Sequence, residues 1–132
     1  MLNYSSKILL AFAETFSGKE DVYKWLMTNG YPELAALSAA IRGSNAAFNW
    51  LMQNNHQRLA ALDSAIDNKN DAKIWLHKNG YDFLLTFANA TNKDPKAIKY
   101  LNDNNLKIFL YIAMRINEFR DNQVYDVHRK QS

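Results

Sequence analysis

The feature that most constrains this chain is an internal repeat of 25 residues, which runs without insertion or deletion. An aromatic residue followed by Leu recurs at this period, at Trp25-Leu26, Trp50-Leu51, Trp75-Leu76 and Tyr100-Leu101. An Asn stands four positions after each aromatic residue, at Asn29, Asn54, Asn79 and Asn104. Apolar residues extend the pattern further, at Leu34, Leu59, Leu84 and Phe109. Agreement at so many positions indicates that one structural unit is repeated along the chain.

The hydrophobic spacing within the unit predicts two short antiparallel helices. The first helix carries apolar residues at Val22, Trp25 and Leu26, which is the i, i+3, i+4 spacing of a helix with one buried face. Ser44 and Asp94 stand where capping side chains begin such helices in two of the units. An Asn-Gly or Asn-Asn pair ends the first helix, because these residues tolerate the left-handed backbone. The second helix follows at once, with apolar residues at i, i+3 and i+7.

The organisation of the chain follows from the size of this unit. A helical pair of 25 residues cannot bury its apolar surface alone, so neighbouring pairs must stack on one another. We therefore predict an all-α fold, an α-solenoid of about five helix-turn-helix pairs without β-sheet, in one domain over residues 1–132. The predicted divisions are a half-repeat at 5–18, repeats at 19–43, 44–68, 69–93 and 94–118, and a C-terminal cap or tail at 119–132.

Two known repeat families share features with these units. The segments Ala39–Asn55 and Ala72–Tyr81 resemble the helical part of an ankyrin repeat. The Trp-x-x-x-Asn spacing is similar to that of armadillo repeats. In armadillo repeats, ladders of Trp and Asn line a groove that holds an extended peptide. The resemblances imply a helical-repeat protein that binds a protein or peptide partner.

Composition and charge exclude several other classes of protein. A chain with 48% hydrophobic and 22% charged residues is not disordered, and without Cys it has no disulfide framework and no thiolate metal site. The net charge of +3 is spread over the chain, and its densest positive stretch is Lys93, Lys96 and Lys99, interrupted by Asp94. A dispersed charge of this size disfavours nucleic-acid binding, which we keep as the alternative function.

The apolar runs of the chain are short. The run Ile8–Ala13 has six residues and falls on positions of the repeat, which predicts a buried helix and disfavours a signal peptide. The longest other run, Ile108–Met114, is too short to span a bilayer. We therefore expect no membrane segment and a cytoplasmic location.

The repeated polar and aromatic positions are the candidate partner-binding residues. The aromatic residues of the 25-residue pattern are expected to form a buried ladder between helices, with an exposed groove wall as the alternative. The Asn residues of the pattern, Asn29, Asn54, Asn79 and Asn104, are expected to satisfy free helix-end groups, and otherwise to hold a peptide backbone. Tyr31, His56 and Tyr81, with Leu106 at the fourth position, are expected to pack at the start of the second helix or to form a partner-facing ridge.

No group of residues points to catalysis. The histidines His56, His77 and His128 have no Asp or Glu at ligand spacing beside them. The sequence has no His-Glu-x-x-His, no Gly-rich phosphate loop and no Gly-x-Ser-x-Gly motif. We therefore expect no enzymatic activity, no cofactor and no bound metal.

The last predicted helix differs from its equivalents, because residues 106–116 are apolar on most sides. A terminal unit needs a polar outer face, so something must cover this one. The expected cover is the chain's own tail, through Phe119, Val124 and Tyr125. The alternative is an interface patch formed by Ile108, Tyr111 and Met114. The chain is accordingly expected to be a monomer, or a homodimer through this helix.

These observations favour a non-catalytic protein-interaction module. The repeat surface is expected to bind a protein or peptide partner, as an adaptor or as an inhibitor of the immunity-protein kind. A nucleic-acid-binding helical-repeat protein is the alternative.

Overall fold

A computed structural model describes the backbone of residues 1–131 and the side chains of residues 1–123. Over residues 1–131 it has nine α-helices, a short 3₁₀ turn at Thr15–Ser17 and no strand, so the predicted all-α fold is confirmed. The helices are α1 (Ser6–Glu14), α2 (Glu20–Thr28), α3 (Pro32–Ile41), α4 (Asn45–Gln53), α5 (Gln57–Ile66), α6 (Asn70–Lys78), α7 (Asp82–Thr91), α8 (Pro95–Asp103) and α9 (Lys107–Gln131).

The helices alternate between two roles. The odd-numbered helices are inner helices, and each of them buries at least four side chains. The even-numbered helices are outer helices, and each buries only one or two. Every outer helix packs against the inner helices that precede and follow it in the chain. A single Leu of each outer helix is fully buried in this contact, at Leu26, Leu51, Leu76 and Leu101.

The helix ends follow from local chemistry that the sequence predicts. The Ser44 hydroxyl accepts a hydrogen bond from the Ala47 amide at 3.1 Å, and an Asp94 carboxylate oxygen accepts one from the Ala97 amide at 3.3 Å. These bonds satisfy amides that have no partner within the helix. After each outer helix the chain turns through a left-handed residue, with φ of 95° at Gly30 and 65° at Asn55. Gly and Asn accept this conformation at low cost, which explains their place in the repeat.

The inner helices form a closed ring. α1 packs on α3, α3 on α5, α5 on α7 and α7 on α9, and α9 then packs on α1 and on the 3₁₀ turn that follows α1. The Tyr111 hydroxyl donates to Glu14 Oε1 at 2.8 Å, and Arg115 Nη2 lies 3.6 Å from Glu14 Oε2. The sequence predicts a solenoid but not its curvature, and this contact joins the first and last inner helices.

The continuation of α9 crosses one end of the ring. The Asn117 side chain donates to the Thr91 carbonyl at 2.9 Å, and Arg120 Nη1 donates to the Ile66 carbonyl at 3.0 Å. These carbonyls belong to the last turns of α7 and α5, where no backbone amide of the helix is left to bond them. The guanidinium also places a positive charge at a helix C-terminus, which is favourable. The predicted boundary between residues 118 and 119 therefore lies within one helix.

The apolar side of α9 is covered mainly from within the ring. Phe109, Ile112 and Ile116 are 2% exposed or less, because α1, α7 and α8 pack around α9. The predicted cover by Phe119 is wrong, because this residue continues α9, and its ring packs edge-on against Phe16, with centroids 6.4 Å apart. The side chains of the two other predicted cover residues, at positions 124 and 125, lie outside the described residues.

A buried carboxyl group lies on α5. Asp63 is 8% exposed, while the same position of the repeat is Ala13, Ser38, Ala88 and Ala113 in the other units. Burial, and then repulsion from Asp67, raises the pKa of Asp63 from 3.8 to about 6, and Lys69 and Arg120 oppose this rise only in part. Because this carboxyl group binds its proton more tightly in the folded chain, ionising it lowers stability as the pH rises through this range.

We expect Asp63→Asn to stabilise the fold at pH 7 by about 1–2 kcal/mol, because the amide is neutral and avoids the cost of a buried negative charge. Thermal melts at pH 7 and pH 4 should show a gain that shrinks at the lower pH, where the native carboxyl is protonated. Asp71→Asn, at an exposed position of α6, is the matched control and should show no such pH dependence. Equal gains at both pH values would contradict this account of Asp63.

We expect Phe119→Ala to lower the free energy of unfolding by about 1–2 kcal/mol, because it removes a half-buried ring from the contact with Phe16. Gln123→Ala changes an exposed residue one turn further along α9 and should change stability by less than about 0.5 kcal/mol. Urea denaturation of both variants measures the difference. Identical stabilities would mean that the continuation of α9 does not hold the ring.

Candidate functional site

Four aromatic side chains lie in one row across the outer helices, and we call them the aromatic row: Trp25, Trp50, Trp75 and Tyr100. Their exposed fractions are 40%, 36%, 37% and 50%. The prediction of a buried ladder is therefore wrong. On each outer helix the Leu that follows the aromatic residue lies at the centre of the buried face. Successive residues are turned by about 100° around a helix, so the ring is left at the edge of that face.

A second ring supports each indole of the aromatic row. Trp25 stacks on Tyr31 with centroids 6.4 Å apart, and Trp50 stacks on His56 at 5.8 Å. Trp75 stacks in the same way on Tyr81, at 5.8 Å. These contacts confirm the predicted packing at the start of the second helix. The role of Tyr31, His56 and Tyr81 as a partner-facing ridge stays a prediction.

The repeated Asn residues have a structural role at the end of each outer helix. Each side-chain amide donates to the carbonyl of the aromatic residue four positions earlier. The distances are 2.8 Å for Asn29, Asn54 and Asn79 and 2.7 Å for Asn104. The backbone amide of the same Asn bonds the same carbonyl. Each carbonyl oxygen thus accepts two hydrogen bonds from the same Asn, which matches the predicted role at helix ends. Peptide binding by these residues stays a prediction.

Beside the aromatic row lie grooves whose lining residues repeat at the 25-residue period. The second groove, of about 340 Å³, has a floor of α3 residues, including Ala35, Ala36 and Ala39, between Tyr23 and Met27 of α2 and Trp50 of α4. The third groove, of about 280 Å³, has the equivalent residues, with Phe48 and Met52 of α4 facing Trp75 of α6 across Ala60, Ala61 and Ser64.

The first groove belongs to the same series. Its volume is about 470 Å³, and it is lined by Lys7, Leu10, Ala11, Glu14, Asp21, Val22 and Trp25. All of these residues belong to α1 and α2. At its edge, hydrogen bonds from Tyr111 and Lys19 lower the pKa of the Glu14 carboxyl, which contacts α9.

Sequence reasoning gave a groove wall only as the alternative for the aromatic residues, and it missed the small residues that form the groove floors. Their signal is a run of small residues on the outward side of two inner helices, at Ala35, Ala36 and Ala39 and at Ala60, Ala61 and Ser64. Small side chains leave space between two outer helices, and the indole at the next outer helix bounds that space. The spacing alone predicts that this face of small residues is buried, and it does not indicate which neighbouring helix packs on it.

Two of the three residues of the predicted interface patch on α9 pack against other helices of the chain. Ile108 and Tyr111 are half-buried against the core, and the Tyr111 hydroxyl is bonded to Glu14. Met114 is 47% exposed. The oligomeric state predicted from this patch stays a prediction.

Other site classes leave few candidates in the described part of the chain. His77 Nδ1 lies 2.8 Å from Asp82 Oδ1 on the exposed surface. Within that part, no group of three or more His, Asp or Glu side chains could hold a metal ion. Over the same residues, no helix combines the length and the apolar character needed to cross a bilayer.

Comparisons with protein-family models, with curated proteins and with solved structures give no match. The interpretation of this surface therefore depends on its own geometry.

We expect Asn54→Ala and Asn79→Ala each to lower the free energy of unfolding by about 0.5–1.5 kcal/mol, because each removes the amide bond to the carbonyl of a Trp. Asn49→Ala, at an exposed position of α4, is the control and should cause no loss. Thermal melts compare the three variants. A loss of partner binding without a loss of stability would contradict the structural role of these amides.

Proposed function

We propose that this chain is a non-catalytic protein-interaction module that binds a protein or peptide partner through the aromatic row and the adjoining grooves. The observation that carries the proposal is the exposure of the aromatic row, between 36% and 50%, beside Leu residues that are fully buried. Large aromatic side chains aligned on a surface mark interaction sites more often than scattered apolar residues do. Trp, Tyr and Met are also enriched at protein interfaces.

The aromatic row is held in place before any partner arrives. Tyr31, His56 and Tyr81 stack on the three indoles, and the Asn amides fix the ends of the helices that carry them. A ring that is already ordered loses little conformational entropy on binding. Met27 and Met52, which are 50% and 45% exposed, add flexible apolar side chains that adapt to a bound surface.

The resemblance to armadillo and ankyrin units supports a peptide or protein as the partner. The Asn residues contribute differently here, because each side-chain amide is already bonded to a carbonyl of its own helix. The rings and the small-residue floors of the grooves therefore supply the contact surface. An adaptor and an inhibitor would use such a surface in the same way. The cytoplasmic location stays a prediction.

Nucleic-acid binding remains the alternative function, but the positive stretch that would support it carries little net charge. Lys99 pairs with Asp103 at 2.6 Å, which reduces the positive stretch that begins at Lys93. An electrostatic complex with nucleic acid would weaken steeply as salt is raised, whereas apolar contacts at the aromatic row would not.

Site-specific photo-crosslinking in extracts of the source cells tests the proposal. We expect a photoreactive residue at Met52, beside the third groove, to capture one discrete protein. The same residue at Gln123, on the continuation of α9, is the matched control and should not capture it. The variant Trp50→Gln/Trp75→Gln should lose the capture while remaining folded by circular dichroism.

Two results would contradict the proposal. One is equal capture from both positions. The other is salt-sensitive binding of duplex or single-stranded nucleic acid that the Trp variants leave unchanged.

A further inference from the structure

The first groove differs from the second and third grooves in one respect. In those two, the preceding outer helix supplies a wall made of an aromatic residue and a Met four positions later. The walls are Tyr23 with Met27 and Phe48 with Met52. No side chain within residues 1–123 supplies an equivalent wall to the first groove, whose lining in that range comes from α1 and α2.

The exposure of one floor position shows how far a wall covers the groove floor from solvent. Leu10, Ala35 and Ala60 occupy the same position of the repeat in the three grooves. Ala35 and Ala60 are 1% and 0% exposed, whereas Leu10 is 46% exposed. Of these three floor residues only Leu10 is large, and it is the one that no wall covers. An exposed Leu beside an exposed Trp25 forms an apolar surface suited to a partner.

Charge at the first groove matches a helix that runs in the direction of α2. The Arg42 guanidinium lies 5.2 Å from the centroid of the Tyr23 ring, which places the beginning of α2 at the end of α3. A helix placed in the same way in the first groove would begin near Asp21 and end near Lys7, which are both exposed. A carboxylate near a helix N-terminus and an ammonium group near its C-terminus both favour that direction.

We propose that the first groove binds an amphipathic helix of a partner protein, which presents an aromatic residue and a Met or Leu at i and i+4. Such a helix supplies the wall that α2 and α4 supply to the next two grooves. The inference rests on the proposed function and names the kind of partner segment involved.

The chain's own last residues do not have the sequence of such a wall helix. Residues 120–128 fall on the repeat positions of an outer helix, but Asp126 stands where α2, α4, α6 and α8 each bury a Leu completely. Burying an unpaired carboxylate at that position would cost more free energy than the other contacts return. A helix from another molecule is therefore the occupant that fits.

The three indoles make the test specific, because each lines one groove. Trp25 lines the first groove, Trp50 the second and Trp75 the third, so their indole N–H signals in a ¹H–¹⁵N spectrum report the grooves separately. Single Trp→Phe variants assign the three signals. The probe is a synthetic helix of about 20 residues, long enough to be helical in water, built on Ala, Glu and Lys with one Phe and one Met at i and i+4.

We expect the probe to shift the Trp25 signal saturably and to leave those of Trp50 and Trp75 in place. A peptide of the same composition with Phe and Met at i and i+2, on opposite sides of the helix, is the matched control. Leu10→Glu should weaken binding by about tenfold or more, as loss of a central apolar contact does. Ile74→Glu changes a residue of α6 that is 52% exposed and lies outside the three grooves, and it should leave binding unchanged.

Several outcomes would overturn the inference. They include no shift of Trp25, an equal shift with the control peptide, and binding that Leu10→Glu does not weaken in a variant that melts normally. A shift confined to Trp50 and Trp75 would also overturn it, while leaving the proposed function supported. Self-association of the chain that shifts Trp25 and is lost in Leu10→Glu would make a second copy the occupant and would equally reject a partner helix.

Discussion

The burial of one Leu from each outer helix is the interaction on which the rest of the structure depends. An outer helix has nine residues and would not be stable alone in water. Leu26 and its three equivalents, all 0% exposed, fix each outer helix between two inner helices. Because this Leu takes the centre of the narrow apolar face, the neighbouring indole must lie at its edge. Partial exposure of the aromatic row is thus a consequence of how the helices are held.

Ring closure explains where the chain departs from its own repeat. The floor positions that are Ala35, Ala36 and Ala39 in α3 become Leu110, Tyr111 and Met114 in α9. Within residues 1–131 no outer helix follows α9, and Leu110 and Tyr111 are partly buried against the core. Tyr111 uses its size to reach Glu14 on α1. A large residue at the position that is Ala36 in α3 therefore joins the first and last inner helices.

The sequence predicted the local features and missed the non-local ones. The helical pairs, the Ser44 and Asp94 caps and the left-handed turns depend on residues within a few positions of one another. Closure depends on Glu14 and Tyr111, which are 97 residues apart and carry no pattern that pairs them. The burial of the aromatic row was predicted wrongly. An i, i+3, i+4 spacing identifies the apolar face of a helix, but it does not show which residue lies at the centre of that face. The groove floors were missed because the only sequence feature that indicates a groove is the run of small residues beneath it.

The equivalent grooves differ in their walls and also in floor residues such as Leu10 and Ala35, and these differences distinguish the two ends of the outer surface. The first groove lacks a wall from the described residues, whereas Tyr23 and Phe48 bound the second and third. At the next repeat position the wall residues become Lys73 and His77, which are polar. The outer surface therefore changes from an open apolar groove near α1 to polar side chains on α6. The apolar contact surface that we propose for a partner is therefore concentrated at the α1 end.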